Sequence, residues 1–99
     1  MAWTRAPIQG IFLIGKTMSK PPRLVRVRSP ADIGSVTREI RREGATDQKT
    51  AAGLAGVGVR FLGDLERGRP NLRLGLVLRV LDRFGLEVWV APRGWRPTE

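Results

Sequence analysis

The chain has 99 residues, of which 41% are hydrophobic and 27% charged, and 18 Lys and Arg against 9 Asp and Glu give a net charge of +9. This length suits one domain with a small core, which a partner subunit would help to stabilise. Because the chain has no Cys, His or Tyr, disulfides, most zinc sites and the usual proton-transferring side chains are excluded. An enzyme is therefore the least favoured class, and no cofactor or metal is expected.

The positive charge is concentrated at the N-terminal end. Residues 1–30 hold six basic and no acidic residues, whereas residues 31–70 carry a net +1 and residues 71–99 a net +2. A basic arm over residues 1–28 suits a polyanion, because each neutralised phosphate releases condensed counterions; the alternative is a solvated tail. The side chains predicted to contact a DNA backbone are Lys20, Arg23, Arg26 and Arg28.

The first 17 residues are interpreted as disordered or as lying upstream of a true start at Met18. Their apolar stretch, residues 11–14, is far shorter than the roughly 20 residues that span a bilayer. We therefore expect no membrane partner and a cytoplasmic, nucleoid-associated protein.

The body of the chain predicts four helices. Residues 24–28 alternate as a short strand, and the first helix follows, with Ser29 as N-cap, Pro30 at N1 and an end near residue 43 before Gly44. Its predicted inward residues are Ile33, Val36 and Ile40. The second helix is capped by Asp47 and ends at Gly56, with Ala51, Ala52, Leu54 and Ala55 inward.

The third helix is predicted over about 59–67, with Leu62 and Leu65 facing the core. Asn71 is expected to cap a fourth helix over about 72–84, which Gly85 ends. Its predicted core stripe is Leu74, Val77, Leu78 and Leu81. Residues 86–90 alternate as a second strand. Residues 86–94 are assigned as the dimerisation segment that contains it, and residues 95–99 form a tail.

The second and third helices have the spacing of a helix-turn-helix. Counting Gln48 as position one, a small residue falls at five, a glycine at nine, and apolar residues at ten, fifteen and eighteen: Ala52, Gly56, Val57, Leu62 and Leu65. Two helices that cross closely need the small residue, and the tight turn needs the positive φ of glycine. The alternative is any small all-α domain with a helix–glycine–helix corner.

Residues 29–94 resemble the HipB-like branch of the lambda-repressor/XRE helix-turn-helix family. The resemblance rests on RSPADIG at 28–34, LAGVGVRFLGDLERGRP at 54–70 and RLGLVLRVLDRFGLEVWVAPRG at 73–94. It implies a mainly α, lambda-repressor-like bundle of four to five helices over residues 29–85. It also implies a homodimeric antitoxin that represses its own operon and binds a HipA-like serine/threonine kinase toxin.

The resemblance further implies an ion pair between Arg41 and Glu66, which joins the first and third helices, and a contact from Gln48 to the DNA backbone. The chain departs from the family pattern at five positions. Ala45 and Asp47 replace the Gly and Thr of the turn before the second helix, and Asp47 can take over as the cap. Thr46 and Ala51 replace leucines, and Gly63 stands in the third helix where a polar residue is usual.

Base readout is predicted from the outward positions of the third helix, namely Gly58, Val59, Arg60 and Asp64. Arg60 can donate to guanine, Asp64 can accept from cytosine, and Val59 can contact a thymine methyl. The alternatives are a phosphate or solvent contact for Arg60 and an intrahelical pair with Arg60 or Arg67 for Asp64. The predicted phosphate-binding residues are Gln48, Lys49 and Arg69.

The C-terminal strand predicts a twofold dimer. Leu86, Val88 and Val90 share one face, and a lone strand leaves its amides unpaired, so we expect it to pair antiparallel with its symmetry mate in a small dimer sheet. The segment 24–28 has two alternative roles: it extends this dimer sheet as an N-terminal strand, or it competes as an internal partner within the same chain. A dimer of this kind binds a pseudo-palindromic operator in double-stranded DNA.

The leading function is thus a dimeric, sequence-specific DNA-binding repressor that acts as an antitoxin. The alternatives are a toxin-binding interaction module with weak DNA readout and, less favoured, an RNA-binding protein. Against the last, the chain lacks an aromatic platform for stacking single-stranded bases.

Overall fold

The computed structural model describes residues 24–95. In that part the chain forms four α-helices: α1 (Pro30–Glu43), α2 (Gln48–Ala55), α3 (Val59–Glu66) and α4 (Leu74–Arg83). The mainly helical fold is therefore confirmed, and the bounds of α1 and α2 agree with the prediction. None of the helices in the described part is long and apolar enough to cross a membrane.

Local signals set the ends of the first two helices. The Asp32 carboxylate accepts hydrogen bonds from the backbone N–H of Arg28 at 2.8 Å and Ser29 at 3.2 Å, and so satisfies donors at the start of α1. Asp47 accepts from the Thr50 N–H at 2.7 Å and caps α2. Gly56 ends α2 in the left-handed conformation, with φ 75°, as the sequence predicted.

The core is built mainly from α2, α3 and α4. It consists of Ala51, Ala52, Ala55, Leu62, Leu65, Val77, Val80, Leu81 and Phe84, with Ile33 and Ile40 of α1 packed against it. The three alanines of α2 are almost fully buried, at 2% exposed or less. Small side chains at these positions let the neighbouring helices approach α2 closely, so Ala51 fills its place in the core without a leucine.

Helices α1 and α3 also meet at very short range. A Cβ atom added to Gly34 of α1 would lie 2.4 Å from the Leu65 carbonyl oxygen and 2.7 Å from that of Glu66. A Cβ added to Gly68, just after α3, would lie 2.8 Å from the Cα of Ala31. Backbone therefore packs on backbone where α1 crosses α3, and no side chain fits between them.

Three leucines that were predicted to lie in the core are exposed instead. Leu54 is 44% exposed, Leu74 66% and Leu78 42%. The buried stripe of α4 consists of Val77, Val80, Leu81 and Phe84. It has the same helical spacing as the predicted stripe but lies about one turn further along. Because α4 is apolar on much of its surface, spacing alone does not select between the two stripes.

The start of α4 also differs from the prediction. Asn71 does not cap this helix: it takes the left-handed conformation, with φ 65°, inside the preceding turn. Arg73 occupies the N-cap position, without a capping side-chain hydrogen bond. At the other end Gly85, with φ 84°, follows the helix as expected, and α3 ends at Glu66, one residue before the predicted end.

Neither predicted strand is formed within the described residues. Segments 24–28 and 86–90 carry no strand there and do not pair with each other. Most of their apolar side chains face solvent, with Val25 47%, Val27 49%, Val88 58% and Val90 89% exposed. A strand needs a neighbouring strand to complete its backbone ladder, and no strand lies beside either segment in the described part of this single chain.

Candidate nucleic-acid interface

Helices α2 and α3 form the helix-turn-helix that the spacing predicted. Ala52, at the fifth position, is 2% exposed, and Leu62 and Leu65 are 0% and 3% exposed. Val57, in the middle of the turn, is partly buried and packs against the same core. These residues hold α3 firmly on α2, so that the opposite side of α3 is free to face a ligand.

The N-terminal end of α3 presents its outward side chains to solvent. Val59 is 48% exposed, Arg60 is exposed, and Gly58 precedes them with open space where a Cβ would lie. The guanidinium group of Arg60 forms no hydrogen bond or ion pair with any described residue. It is therefore free to donate two parallel hydrogen bonds to a guanine edge.

Asp64, which was predicted to read cytosine, is already paired. Its carboxylate accepts a hydrogen bond from Arg67, the residue directly after α3, and its side chain is only 18% exposed. This is the intrahelical alternative raised by the sequence. Next to it, Gly63 is buried and faces Gln48, whose Oε1 would lie 3.7 Å from an added Cβ.

The predicted phosphate-binding residues occupy different environments. Lys49 and Arg69 are exposed, as are Arg26 and Arg28 of the arm. Gln48 is partly buried, and its Nε2 donates to Glu66 Oε1 at 2.9 Å. Lys20 and Arg23 lie outside the described residues.

Behind this surface, Arg41 and Glu66 form a buried ion pair. Arg41 donates through Nε to Glu66 Oε2 at 2.6 Å and through Nη2 to Oε1 at 2.9 Å. The side chains are 12% and 0% exposed. Arg41 also donates through Nη1 to the Thr46 carbonyl oxygen at 2.9 Å. The pair thus joins α1, the loop before α2, and α3.

The chain is 44% identical over 71 residues to the uncharacterized HTH-type transcriptional regulator y4mF of Sinorhizobium fredii (strain NBRC 101917 / NGR234). The match covers 72% of this chain and 93% of the relative. The chain belongs to the HTH-type transcriptional regulators. No family model matches it.

In this HTH regulator, the buried carboxylate stays ionised. Burial opposes the charge on Glu66, but the hydrogen bonds from Arg41 and Gln48 and the attraction of Arg41 and Arg38 outweigh it and lower the pKa of Glu66. The same carboxylate raises the pKa of Arg41. The pKa of Asp47 is lowered mainly by the backbone hydrogen bond from Thr50. Both carboxylates are therefore negative at neutral pH.

Sequence reasoning missed two arginines of the HTH regulator, one that contacts the turn after α2 and one that lies against the last turn of α2. Arg79 donates through Nη1 to the Gly56 carbonyl oxygen at 3.2 Å, and Arg83 Nη1 lies 3.5 Å from that of Leu54. Their spacing of four residues puts both on one face of α4. Their partners are backbone atoms distant in sequence, which no side-chain pattern reveals.

Proposed function

We propose that this HTH regulator is a sequence-specific DNA-binding repressor that acts as a homodimer on a pseudo-palindromic operator in the nucleoid. The proposal rests on Arg60, which lies beside Val59 at the N-terminal end of α3. Its side chain is exposed and forms no hydrogen bond or ion pair with a described residue. A recognition helix enters the major groove with its N-terminal residues against the base edges. The buried pair of Arg41 and Glu66 supports α3 from behind.

In this proposal each half-site is read by few side chains. Arg60 donates to O6 and N7 of a guanine, and Val59 contacts the methyl group of a neighbouring thymine. Gly58 lets the backbone approach the DNA closely. Asp64 is held by Arg67 through Oδ1 and its side chain is only 18% exposed, so its contribution to readout is the smallest.

Phosphate contacts would supply most of the affinity. The N-terminal end of α2, with Gln48 and Lys49, offers backbone N–H groups to a phosphate. Arg69, with the arm that includes Lys20, Arg23, Arg26 and Arg28, would neutralise others. Affinity that depends on this many basic groups falls steeply as salt increases.

Replacing Arg60 tests the readout. Arg60→Ala should relax the preference at one base position of the DNA upstream of the gene, at a cost of about 1–3 kcal/mol. The measurement is a gel shift with that DNA and with variants at each position. Arg42→Ala, which removes an exposed arginine from α1, is the matched control and should leave the base preference unchanged. A wild-type protein that binds all sequences equally would contradict the proposal.

The proposed dimer uses the C-terminal segment. Val88 and Val90 are 58% and 89% exposed, and Leu86 is partly buried. Segments 86–90 and 24–28 form no strand pair within the described chain. Segment 86–90 is therefore available to pair with the same segment of a second copy. Antiparallel pairing of two such segments would cover the apolar side chains of both.

Proline substitution tests the dimer. Val88→Pro removes a ladder donor, so a dimer held by this segment should dissociate into folded monomers in sedimentation. Val25→Pro makes the same change in the other candidate strand and should leave the dimer intact. If Val88→Pro sediments as a folded dimer, the interface lies elsewhere.

More specifically, we propose that this repressor is an antitoxin whose partner is a HipA-like kinase toxin. A toxin-binding module with weak DNA readout is the second candidate. It is favoured by the small number of side chains that α3 offers, since Gly58 and Gly63 have none and Asp64 is paired. Co-purification with the product of a neighbouring kinase-like reading frame, together with the gel shift, distinguishes a regulator that binds both partners from one that binds toxin alone.

A further inference from the structure

Helix α4 contacts the C-terminal end of α2 through two arginines one turn apart. Arg79 makes the closer contact, at 3.2 Å to the Gly56 carbonyl oxygen, and Arg83 the longer one, at 3.5 Å to that of Leu54. Both side chains belong to exposed residues. Their positive charges therefore lie at the negative end of the α2 dipole, where cations are stabilising.

The two acceptors are the carbonyl oxygens of Gly56 and Leu54, which accept no hydrogen bond from a backbone N–H of the described residues. At the end of α2 the Val57 N–H donates to the Ala52 carbonyl oxygen at 3.0 Å, and the Gly56 N–H donates to that of Gly53 at 3.2 Å. This pair of bonds is a Schellman motif. It satisfies two carbonyl groups of the last turn, and Arg79 and Arg83 reach two that it does not use.

The contact of Arg79 holds the turn between α2 and α3, which helps to set the orientation of α3. Gly56 and Gly58 flank Val57 in the turn, and glycine backbone is the least restricted of any residue. Gly58, the N-cap of α3, has no side chain that could cap the helix. The turn is thus one of the parts that set the orientation of α3, together with the buried core and the pair of Arg41 and Glu66, and Arg79 ties this turn to α4.

We propose that Arg79, with a weaker contribution from Arg83, is a positioning residue that fixes the turn between α2 and α3 and thereby the orientation of the recognition helix. The inference rests on the proposed DNA-binding function. Arg79 itself contacts the protein backbone and not a base. Losing it should therefore weaken discrimination between sequences more than it weakens attachment to DNA.

Three methionine variants at matched exposed arginines test this role. Arg79→Met should lower the ratio of specific to non-specific DNA affinity about three- to tenfold, because a hydrogen bond from a charged donor is lost. Arg83→Met should have a smaller effect, and Arg42→Met on α1 none. Arg79→Lys keeps a charged donor and should recover part of the ratio. All variants are compared at a temperature at which circular dichroism finds them fully folded.

The salt dependence separates positioning from a phosphate contact. A positioning residue leaves the slope of log affinity against log salt unchanged, whereas losing one phosphate contact makes it shallower by about 0.9. A shallower slope for Arg79→Met, or an unchanged specificity ratio, would overturn the proposal.

A measurement without DNA keeps this inference separate from the proposed function. The amides of Gly56 and Val57 are hydrogen-bonded, and their hydrogen exchange should be faster in free Arg79→Met than in free wild type and Arg42→Met. If wild type does not discriminate between DNA sequences, the proposed function fails, but faster exchange would still support the role of Arg79 at the turn. Exchange that is unchanged at both amides would overturn it.

Discussion

Replacing Gly34 by alanine should lower the free energy of unfolding by about 3 kcal/mol. The added methyl group would lie 2.4 Å from the Leu65 carbonyl oxygen and 2.9 Å from the Glu66 carbonyl carbon. These are backbone atoms of α3, so relief requires α1 and α3 to move apart. Such a movement would also disturb the pair of Arg41 and Glu66, which links the same two helices.

Gly53→Ala is the matched control for this substitution. Gly53 also lies within a helix, but nothing is within 4 Å of the position of its Cβ. Alanine there should raise stability by up to about 1 kcal/mol, because it restricts the unfolded chain and suits a helix. Urea denaturation of both variants measures the difference. Equal effects of the two substitutions would show that the close contact of α1 with α3 does not matter for stability.

The close contact at Gly34 is the kind of feature that a local pattern does not reveal. Within α1 the pattern predicted an apolar face and its ends, and both helix ends agree with the structure. A glycine inside a helix is, by propensity alone, only a local cost. Its partners lie more than thirty residues further along the chain, so its role depends on how the helices cross.

The same limit explains which parts of the site were predictable. The turn at Gly56 and the small residue Ala52 follow from spacing within one motif. The contact of Arg79 with that turn and the pairing of Asp64 depend on which of several available partners a side chain selects. For α4, two apolar stripes fit the helical period equally well, and only packing against α2 selects the one that includes Phe84 over the one that includes Leu74.

Breaking the ion pair behind α3 from one side should be at least as damaging as the change at Gly34. Arg41→Met would leave the Glu66 carboxylate, whose side chain is 0% exposed, with Gln48 as its remaining close donor and the half-exposed Arg38 at 3.7 Å. Removing the main partner of a buried charge in this way costs about 3–5 kcal/mol. The double variant Arg41→Met with Glu66→Leu removes both charges and should cost much less. Urea denaturation at neutral pH gives both values, and a double variant as unstable as the single one would contradict this account.

The pH dependence of stability provides an independent test of the same pair. In wild type the pKa of Glu66 is lower in the folded than in the unfolded state, despite the opposing effect of burial, because Arg41 and Gln48 donate to it. Its contribution to stability is therefore complete above the ordinary pKa of a glutamate. That contribution is lost as the pH falls through the lowered folded value.

In Arg41→Met the charge on Glu66 should destabilise the folded state instead of stabilising it. Burial is the largest single effect on this carboxyl group, and without Arg41 only the hydrogen bond from Gln48 and the attraction of Arg38 oppose it. We therefore expect the pKa of Glu66 to rise above its ordinary value. Acid then removes a poorly compensated buried charge instead of a stabilising one. The stability difference between wild type and Arg41→Met should consequently narrow as the pH falls from about 7 to about 3. Protonation relieves the variant already above the ordinary pKa of a glutamate, and wild type loses its favourable interaction below that value. Asp47 titrates alike in both proteins apart from its weak attraction to Arg41, so most of its contribution cancels in the comparison. A difference that stays constant over this range would mean that the charge on Glu66 is not what stabilises the junction of α1 and α3.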